Sequence, residues 1–265
     1  MSLMDYSPSF QRERNNVRKL RLITINIHKG FSWSNRTFML HRLREAIRSV
    51  DADVIFLQEV VGQNSARAKR HPTWPEQAQH EFLADSVWRY FAYGKNAFYP
   101  DGHHGNAILS KFPILHSERI DTSTNSFEQR GFLYCAVHIP DSPGLLHCFC
   151  IHQGLFAVSR RKQLRIQADY IHRKIPGDAP IIMAGDFNDW HGRDVDDFAL
   201  SLGLVDASFE INKKKMRTFP ARIPLLPLDR IYIRGLTAKK ATILNSVVWK
   251  KLSDHVALFI ESELP

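Results

Sequence analysis

The chain has 265 residues, 44% hydrophobic and 24% charged, with a formal net charge of +9 and a pI near 9.6. That balance argues against a disordered chain and supplies core material for one large or two small globular domains. No apolar stretch approaches the roughly 18 residues of a membrane-spanning helix, and the positive excess favours polyanionic partners, nucleic acid and anionic lipid headgroups alike.

MSLMDYSPSFQRERNN has neither an apolar h-region nor a small-residue cleavage site, which predicts a cytoplasmic address. MSL before a second Met reads as a vector-derived start of an N-terminal extension over residues 1–19. KLRLITINIHKG alternates as a strand and ends in a polar turn, and RTFMLHRLREAIRSV carries Phe38, Leu40, Leu43, Ile47 and Val50 at helical spacing. DADVIFLQEV follows as a second strand, so the three form a βαβ unit with near-parallel strands. WPEQAQHEFLADSVW predicts another helix. RYFAYG, GNAILSKFPI, GFLYCAVHI and LLHCFCIHQGL then read as four consecutive strands between Gly, Pro and Asp turns, the pattern of an antiparallel meander. SRRKQLRIQADYIHRKI is a long amphipathic helix stopped by Pro176 and Gly177. PIIMAGDFN returns to the sheet, a short helix falls around DVDDFALSLGL, and DRIYIRG and HVALFIES close the chain as strands.

Two strand-rich halves of this kind pack best as two sheets face to face with helices outside. The predicted fold is a four-layer α/β/β/α sandwich of two mixed sheets, with residues 20–265 as a single domain. Cys135, Cys148 and Cys150 lie in apolar runs without metal-site spacing, which predicts buried thiols and suits a reducing compartment. The basic clusters RERNNVRKLR, SRRKQLR and NKKKMR are scattered and read as solvated faces.

Polar groups stand where the apolar strands end: Asn26 after LITI, Glu59 after VIFLQ, His152 after HCFCI, and Asp186 with Asn188 in GDFND. Asp254 and His255 open the final strand and Asp229 opens DRIYI. Any one of these could simply cap a turn. Together, hard oxygen donors suited to Mg²⁺ and imidazoles suited to proton transfer or phosphate contact read as a metal and phosphate site.

TxN at 24–26, LQEV at 57–60, HGNAILSK at 104–111, IHQGL at 151–155, GDFND at 185–189, LDRIYI at 228–233 and LSDHVAL at 252–258 resemble, in order, the motifs of the endonuclease/exonuclease/phosphatase superfamily. Its members include deoxyribonuclease I, abasic-site endonucleases, neutral sphingomyelinases, inositol-polyphosphate 5-phosphatases and messenger-RNA deadenylases. The resemblance spans about residues 20 to 260. It implies a deoxyribonuclease I-like catalytic domain, an active site at one edge of both sheets, and Mg²⁺ or Mn²⁺ as cofactor. By matching position it implies Glu59 as the main metal ligand with Asn26 and Asp254 near the ion. Asp186 and Asn188 would orient or deprotonate the attacking water, His152 and His255 would contact the scissile phosphate, and Asp229 would pair with His255. Deoxyribonuclease I, sphingomyelinases and deadenylases look like this chain at His152, whereas abasic-site endonucleases are not expected to carry that His.

Arg130 falls where related enzymes place a phosphate-contacting Arg. His28, Lys29, His103, His104 and Asn106 flank family motifs on loops or strand starts, and such rims select substrate. Trp190, just past GDFND, either stacks on a base or sugar or forms an aromatic lid over the core. The expected function is Mg²⁺-dependent phosphodiester hydrolysis by in-line water attack, foremost as a nuclease. The alternative is a phosphodiesterase or phosphatase acting on a phospholipid headgroup or small phosphoester. No protein partner is implied.

Overall fold

Strand β1 (Arg18–Asn26) alternates: Leu20 and Leu22 face one apolar layer, Ile23 and Ile25 another. From Leu22 onward both faces are buried, and there the sequence is apolar apart from Thr24 and the terminal Asn26. The protein is described by a computed structural model over residues 17–125 and 127–265, and the central strands β2, β7 and β8 are buried on both faces in the same way. The first 16 residues, most of the expected N-terminal extension, lie outside the described residues.

In chain order the elements are β1, α1 (Leu40–Val50), β2 (Val54–Asn64), α2 (Ser65–Arg70), α3 (Gln79–Ala84), β3 (Tyr90–Tyr99), β4 (Gly102–Ser110), β5 (Ile114–Asp121), β6 (Gly131–His138) and β7 (Leu145–His152). Then follow α4 (Ala157–Lys174), β8 (Ile181–Asp186), α5 (Arg193–Ser201), β9 (Val205–Asp206), α6 (Ala207–Asn212), β10 (Asp229–Arg234), β11 (Thr237–Leu244), α7 (Trp249–Leu252) and β12 (Ala257–Leu264). Two six-stranded sheets result, in the orders β11-β12-β1-β2-β4-β3 and β5-β6-β7-β8-β10-β9. Each is mixed, with β1 parallel to β2 and β7 parallel to β8 among antiparallel neighbours.

Three apolar layers separate the four layers of structure. Leu22, Phe56, Ile108, Cys148, Ile182 and Ile231 belong to the layer between the sheets. Ile23, Ile55, Leu43, Ile47 and Trp88 pack the first sheet against α1 and α3. Phe149, Met183, Leu164, Tyr170 and Phe198 pack the second against α4 and α5. Each fully buried Leu, Ile or Phe contributes roughly 1.5–3 kcal/mol, so the middle layer clamps the two sheets together. The three cysteines are free and buried, as expected. Among the described residues no helix is long and apolar enough to cross a membrane.

The sandwich matches the sequence expectation, but the meander does not. The four expected strands are split: β3 and β4 pair in the first sheet, whereas β6 and β7 pair in the second. An extra strand, β5, carries the chain across. Its exposed, polar sequence hides the period-2 signal because only one of its edges is paired, against β6. The expected division into two halves is likewise broken, since β12 returns to pair with β1 and brings the unanticipated β11 with it. The helix expected over 74–88 shortens to α3.

Gly185 shows how tightly the second sheet is built beside the last residue of β8. Its φ is +148°, and a Cβ there would lie 2.0 Å from the Ile151 carbonyl oxygen on the neighbouring strand. We expect Gly185→Ala to cost about 3 kcal/mol, read as a lower urea midpoint at unchanged m-value. An unchanged midpoint would contradict the close approach.

Candidate active site

Sheet register assembles half of the site. His152 on β7 pairs with Asp186 on β8, and Asp186 pairs with Asp229 on β10, so three adjacent strands present one rung of polar side chains. His255, just ahead of β12, reaches over from the first sheet and its Nδ1 lies 2.7 Å from Asp229 Oδ2. Its Nε2 is 3.8 Å from Asp186 Oδ2, and His152 Nε2 is also 3.8 Å from that same oxygen. Asn188, at φ 48°, donates its backbone N–H to Asp186 Oδ1 at 3.0 Å and its side-chain amide to the Gln153 carbonyl at 2.9 Å. All of these side chains are buried.

The first sheet supplies the rest. Asn26, the last residue of β1, places its amide nitrogen 3.3 Å from Asp186 Oδ2 and 3.5 Å from Glu59 Oε1. Glu59 sits on a β-bulge: between Leu57 and Val60 the β2 chain advances one residue more than β4, and Glu59 takes φ 57°. The bulge turns the carboxylate toward the cleft. Its other oxygen, Oε2, accepts from the Lys29 ammonium at 2.6 Å. Lys29 stands in a single turn, His28–Gly30, also at positive φ.

Burial and charge set the protonation states. Burial would raise the Glu59 carboxyl, but the Lys29 ammonium and nearby histidines outweigh it and hold Glu59 well below the usual carboxylate range. Burial pushes Asp186 up to about 6, a rise that the Asp229 carboxylate reinforces and His255 opposes. Burial would discharge His255, yet Asp229 and Asp186 prevail and lift it to about 10. His152 goes the other way, driven well below its ordinary value by burial and by the Arg130 charge. The two histidines are therefore different reagents near neutral pH: His255 a cation, His152 a neutral hydrogen-bonding ring.

The remaining expected residues divide. Asp254 is half-buried beside His28, 3.8 Å from its Nδ1, and makes no side-chain hydrogen bond to Glu59, Asn26 or Asp186. Its neighbour Ser253 ties this segment to the site by donating to the Asn26 carbonyl at 2.6 Å. Arg130 is held by Glu128 at 3.1 Å and by the Gln153 carbonyl at 3.2 Å. Asn106 donates its side-chain amide to the Gly131 and Cys150 carbonyls, leaving its own carbonyl oxygen unpartnered. His104 is buried and stacked on Tyr99 with ring centroids 5.4 Å apart, and burial lowers it to about 4. Trp190 is 45% exposed, with one part of the ring open to solvent and the other packed on the protein. Sequence reasoning did not find Gln153, whose carbonyl gathers both Arg130 and Asn188, nor Glu128. Only the adjacency of Gln153 to His152 in IHQGL could have drawn attention to it.

Among the described residues, no three His, Cys, Asp or Glu side chains converge as a closed metal cage. The anionic donor present is the ionised Glu59 carboxylate, which already holds one cation, the Lys29 ammonium; beside it Asn26 turns its NH2 toward Glu59 and Asp186 while its Oδ1 accepts from the His28 N–H at 3.0 Å. That set fits Mg²⁺ or Mn²⁺, which bind through one or two carboxylates and keep several waters, and does not suit a structural zinc.

The model of the endonuclease/exonuclease/phosphatase family matches residues 23–255. The uncharacterized protein YbhP of Escherichia coli K12 is 43% identical over 244 residues, 92% of this chain and 96% of its own length. Among solved structures, an endonuclease/exonuclease/phosphatase from Beutenbergia cavernae superposes with a TM-score of 0.78 at 19% identity, covering 93% of this chain and 72% of that one. D. rerio TDP2 complexed with single-strand DNA product superposes at 0.68 and 21% identity, covering 92% and 98%. With its sandwich built as the seven motifs imply and the family match running from β1 to His255, the chain belongs to the endonuclease/exonuclease/phosphatase family.

Proposed function

We propose that residues 20–265 form one catalytic unit that hydrolyses phosphodiester bonds by in-line attack of water, with Mg²⁺ or Mn²⁺ held at Glu59 and Asn26 and nucleic acid as the substrate. The observation that carries this reading is the convergence of one charged and one neutral imidazole on a single oxygen of Asp186. Both 3.8 Å separations exceed hydrogen-bond range, so the two rings face the carboxylate without bonding to it directly. Asp186, ionised above about pH 6, accepts the proton of the attacking water, and the free side-chain oxygen of Asn188 orients that water. The His255 imidazolium, fixed by Asp229, neutralises a phosphate oxygen, while neutral His152 donates a hydrogen bond to another. Asp254, on the neighbouring segment beside His28, would add a second carboxylate's charge for a bound cation. A bound divalent ion polarises the phosphoryl group and offsets charge on the leaving oxygen.

Nucleic acid is supported by the charge of +9 and by the exposed rings of Trp190, Trp33 and Tyr99. A second reading, a phospholipid headgroup, is favoured by Leu155 and Phe156 after β7 and Ile223 and Leu225 before β10. These are exposed on loops next to site residues, and the three aliphatic ones offer a base no face to stack on. Plasmid DNA, RNA, sphingomyelin-like and phosphatidyl lipids, inositol phosphates and bis-nitrophenyl phosphate should be assayed with Mg²⁺ and with EDTA. Cleavage of DNA or RNA, falling steeply with salt, is the expected result. Turnover of lipids or inositol phosphates alone rejects the nuclease reading. Because Trp190 is exposed, Trp190→Ala should raise KM about 5-fold or more at unchanged Tm; a lowered Tm with normal KM would show a structural role instead.

A further inference from the structure

Beside Lys29, the ion-pair partner of Glu59, a cavity of about 250 Å³ is lined by Lys29, Asn64, Arg67, Tyr99, His103 and His104. The two oxygens of Glu59 divide the space. Oε1 faces the Asp186 cluster through Asn26, and Oε2 faces the cavity through Lys29. The lining is fixed rather than floppy: the Arg67 guanidinium lies 4.6 Å over the Phe31 ring, His104 stacks on Tyr99, and His103 Nδ1 is hydrogen-bonded to the Tyr93 hydroxyl at 3.0 Å.

Two polar atoms of this lining, Arg67 Nη1 and His104 Nδ1, are buried and have no protein partner. A buried polar atom left unsatisfied costs about 1–3 kcal/mol, a cost recovered when a small turn of either side chain brings the atom to a polar occupant of the cavity. The charged groups facing the cavity are Lys29 and Arg67, with Glu59 behind Lys29 and exposed Asp101 at the outer lip. Burial keeps His104 neutral and lowers His103, so these rings serve as hydrogen-bonding groups rather than as cations. Two cations with neutral imidazoles and a Tyr hydroxyl suit a tetrahedral oxyanion.

We propose that this cavity is a subsite for a second phosphate of the substrate, adjacent to the scissile one and bound by Arg67, Lys29 and His104. The assignment deepens the phosphoester reading above and rests on it. It names one chemistry, a neighbouring phosphate, whether that phosphate belongs to a nucleotide or to a phosphorylated headgroup.

The test is calorimetric binding to the full chain carrying Asp186→Asn, so that no ligand is consumed, in the presence of Mg²⁺. In the nucleotide arm, 5′-phosphorylated dithymidylate is compared with the same dinucleotide lacking its terminal phosphate. In the headgroup arm, inositol 1,4-bisphosphate is compared with inositol 1-phosphate. We expect the second phosphate to tighten binding at least 10-fold in one arm, which identifies the source. Adding Arg67→Met should abolish that gain while leaving the affinity for the singly phosphorylated ligand unchanged. His104→Gln, which keeps a hydrogen-bonding side chain but loses the ring, provides a second variant should Arg67→Met lower the Tm. No gain in either arm, or a gain that survives both substitutions, overturns the subsite. Because the readout is binding, an inactive substrate panel with an Arg67-dependent gain would sink the hydrolase reading and leave the subsite standing.

Discussion

Asp186→Asn should lower turnover by about 10² or more while changing substrate affinity little, because it keeps the size and the hydrogen bond from Asn188 but removes the base. The pH profile supplies an independent readout. Wild-type kcat/KM should rise through about pH 6, where Asp186 ionises, and fall through about pH 10, where His255 loses its proton. The rising limb should vanish in the residual activity of the variant. Stability separates this from damage to the fold. The folded state holds the Asp186 proton more tightly than the unfolded chain, so the stability it lends is full below the ordinary carboxyl range and gone above about pH 6. At pH 8 the substitution should therefore leave Tm equal or higher. His255→Ala should also cost turnover, and the double variant should lose less than the product of the two effects because both groups serve one transition state. Near wild-type turnover in Asp186→Asn would return GDFND to the role of a capped turn.

Glu59→Gln is the second large effect, and it acts on the cation. Burial would raise the carboxyl, but its pairing with the Lys29 ammonium keeps it ionised throughout the working range. Neutralising it should weaken Mg²⁺ binding by about 10-fold or more, with activity falling in parallel at fixed Mg²⁺ and recovering in part at high Mg²⁺. Binding of Mn²⁺ followed by electron paramagnetic resonance measures the affinity without any substrate. Lys29→Met should act in the opposite direction on that affinity, since it removes the ammonium that competes for Oε2 at 2.6 Å. Wild-type Mn²⁺ affinity in Glu59→Gln, or full activity of the native chain in EDTA, would remove Glu59 from the metal site.

The sequence by itself determined the elements with a clear period and the chemistry at their ends. Strands such as β1 and β8 are apolar because both faces are covered, and that local signal survives without knowledge of their neighbours. The positions of Asn26, Glu59, His152, Asp186, Asp229 and His255 were legible for the same reason, as polar residues interrupting apolar runs. Strand partnership was not legible. Period 2 says which face a residue takes but not which edge its strand meets, so only the folded chain could divide β3 and β4 from β6 and β7 and bring β12 back to β1. The bulge that aims Glu59 depends on a register mismatch with β4, more than 40 residues away in sequence. The opposite charge states of His152 and His255 are likewise tertiary. Both sit beside the same Asp186 oxygen, but one has Asp229 at 2.7 Å while the other feels Arg130, and such through-space neighbours leave no trace in the sequence around either ring.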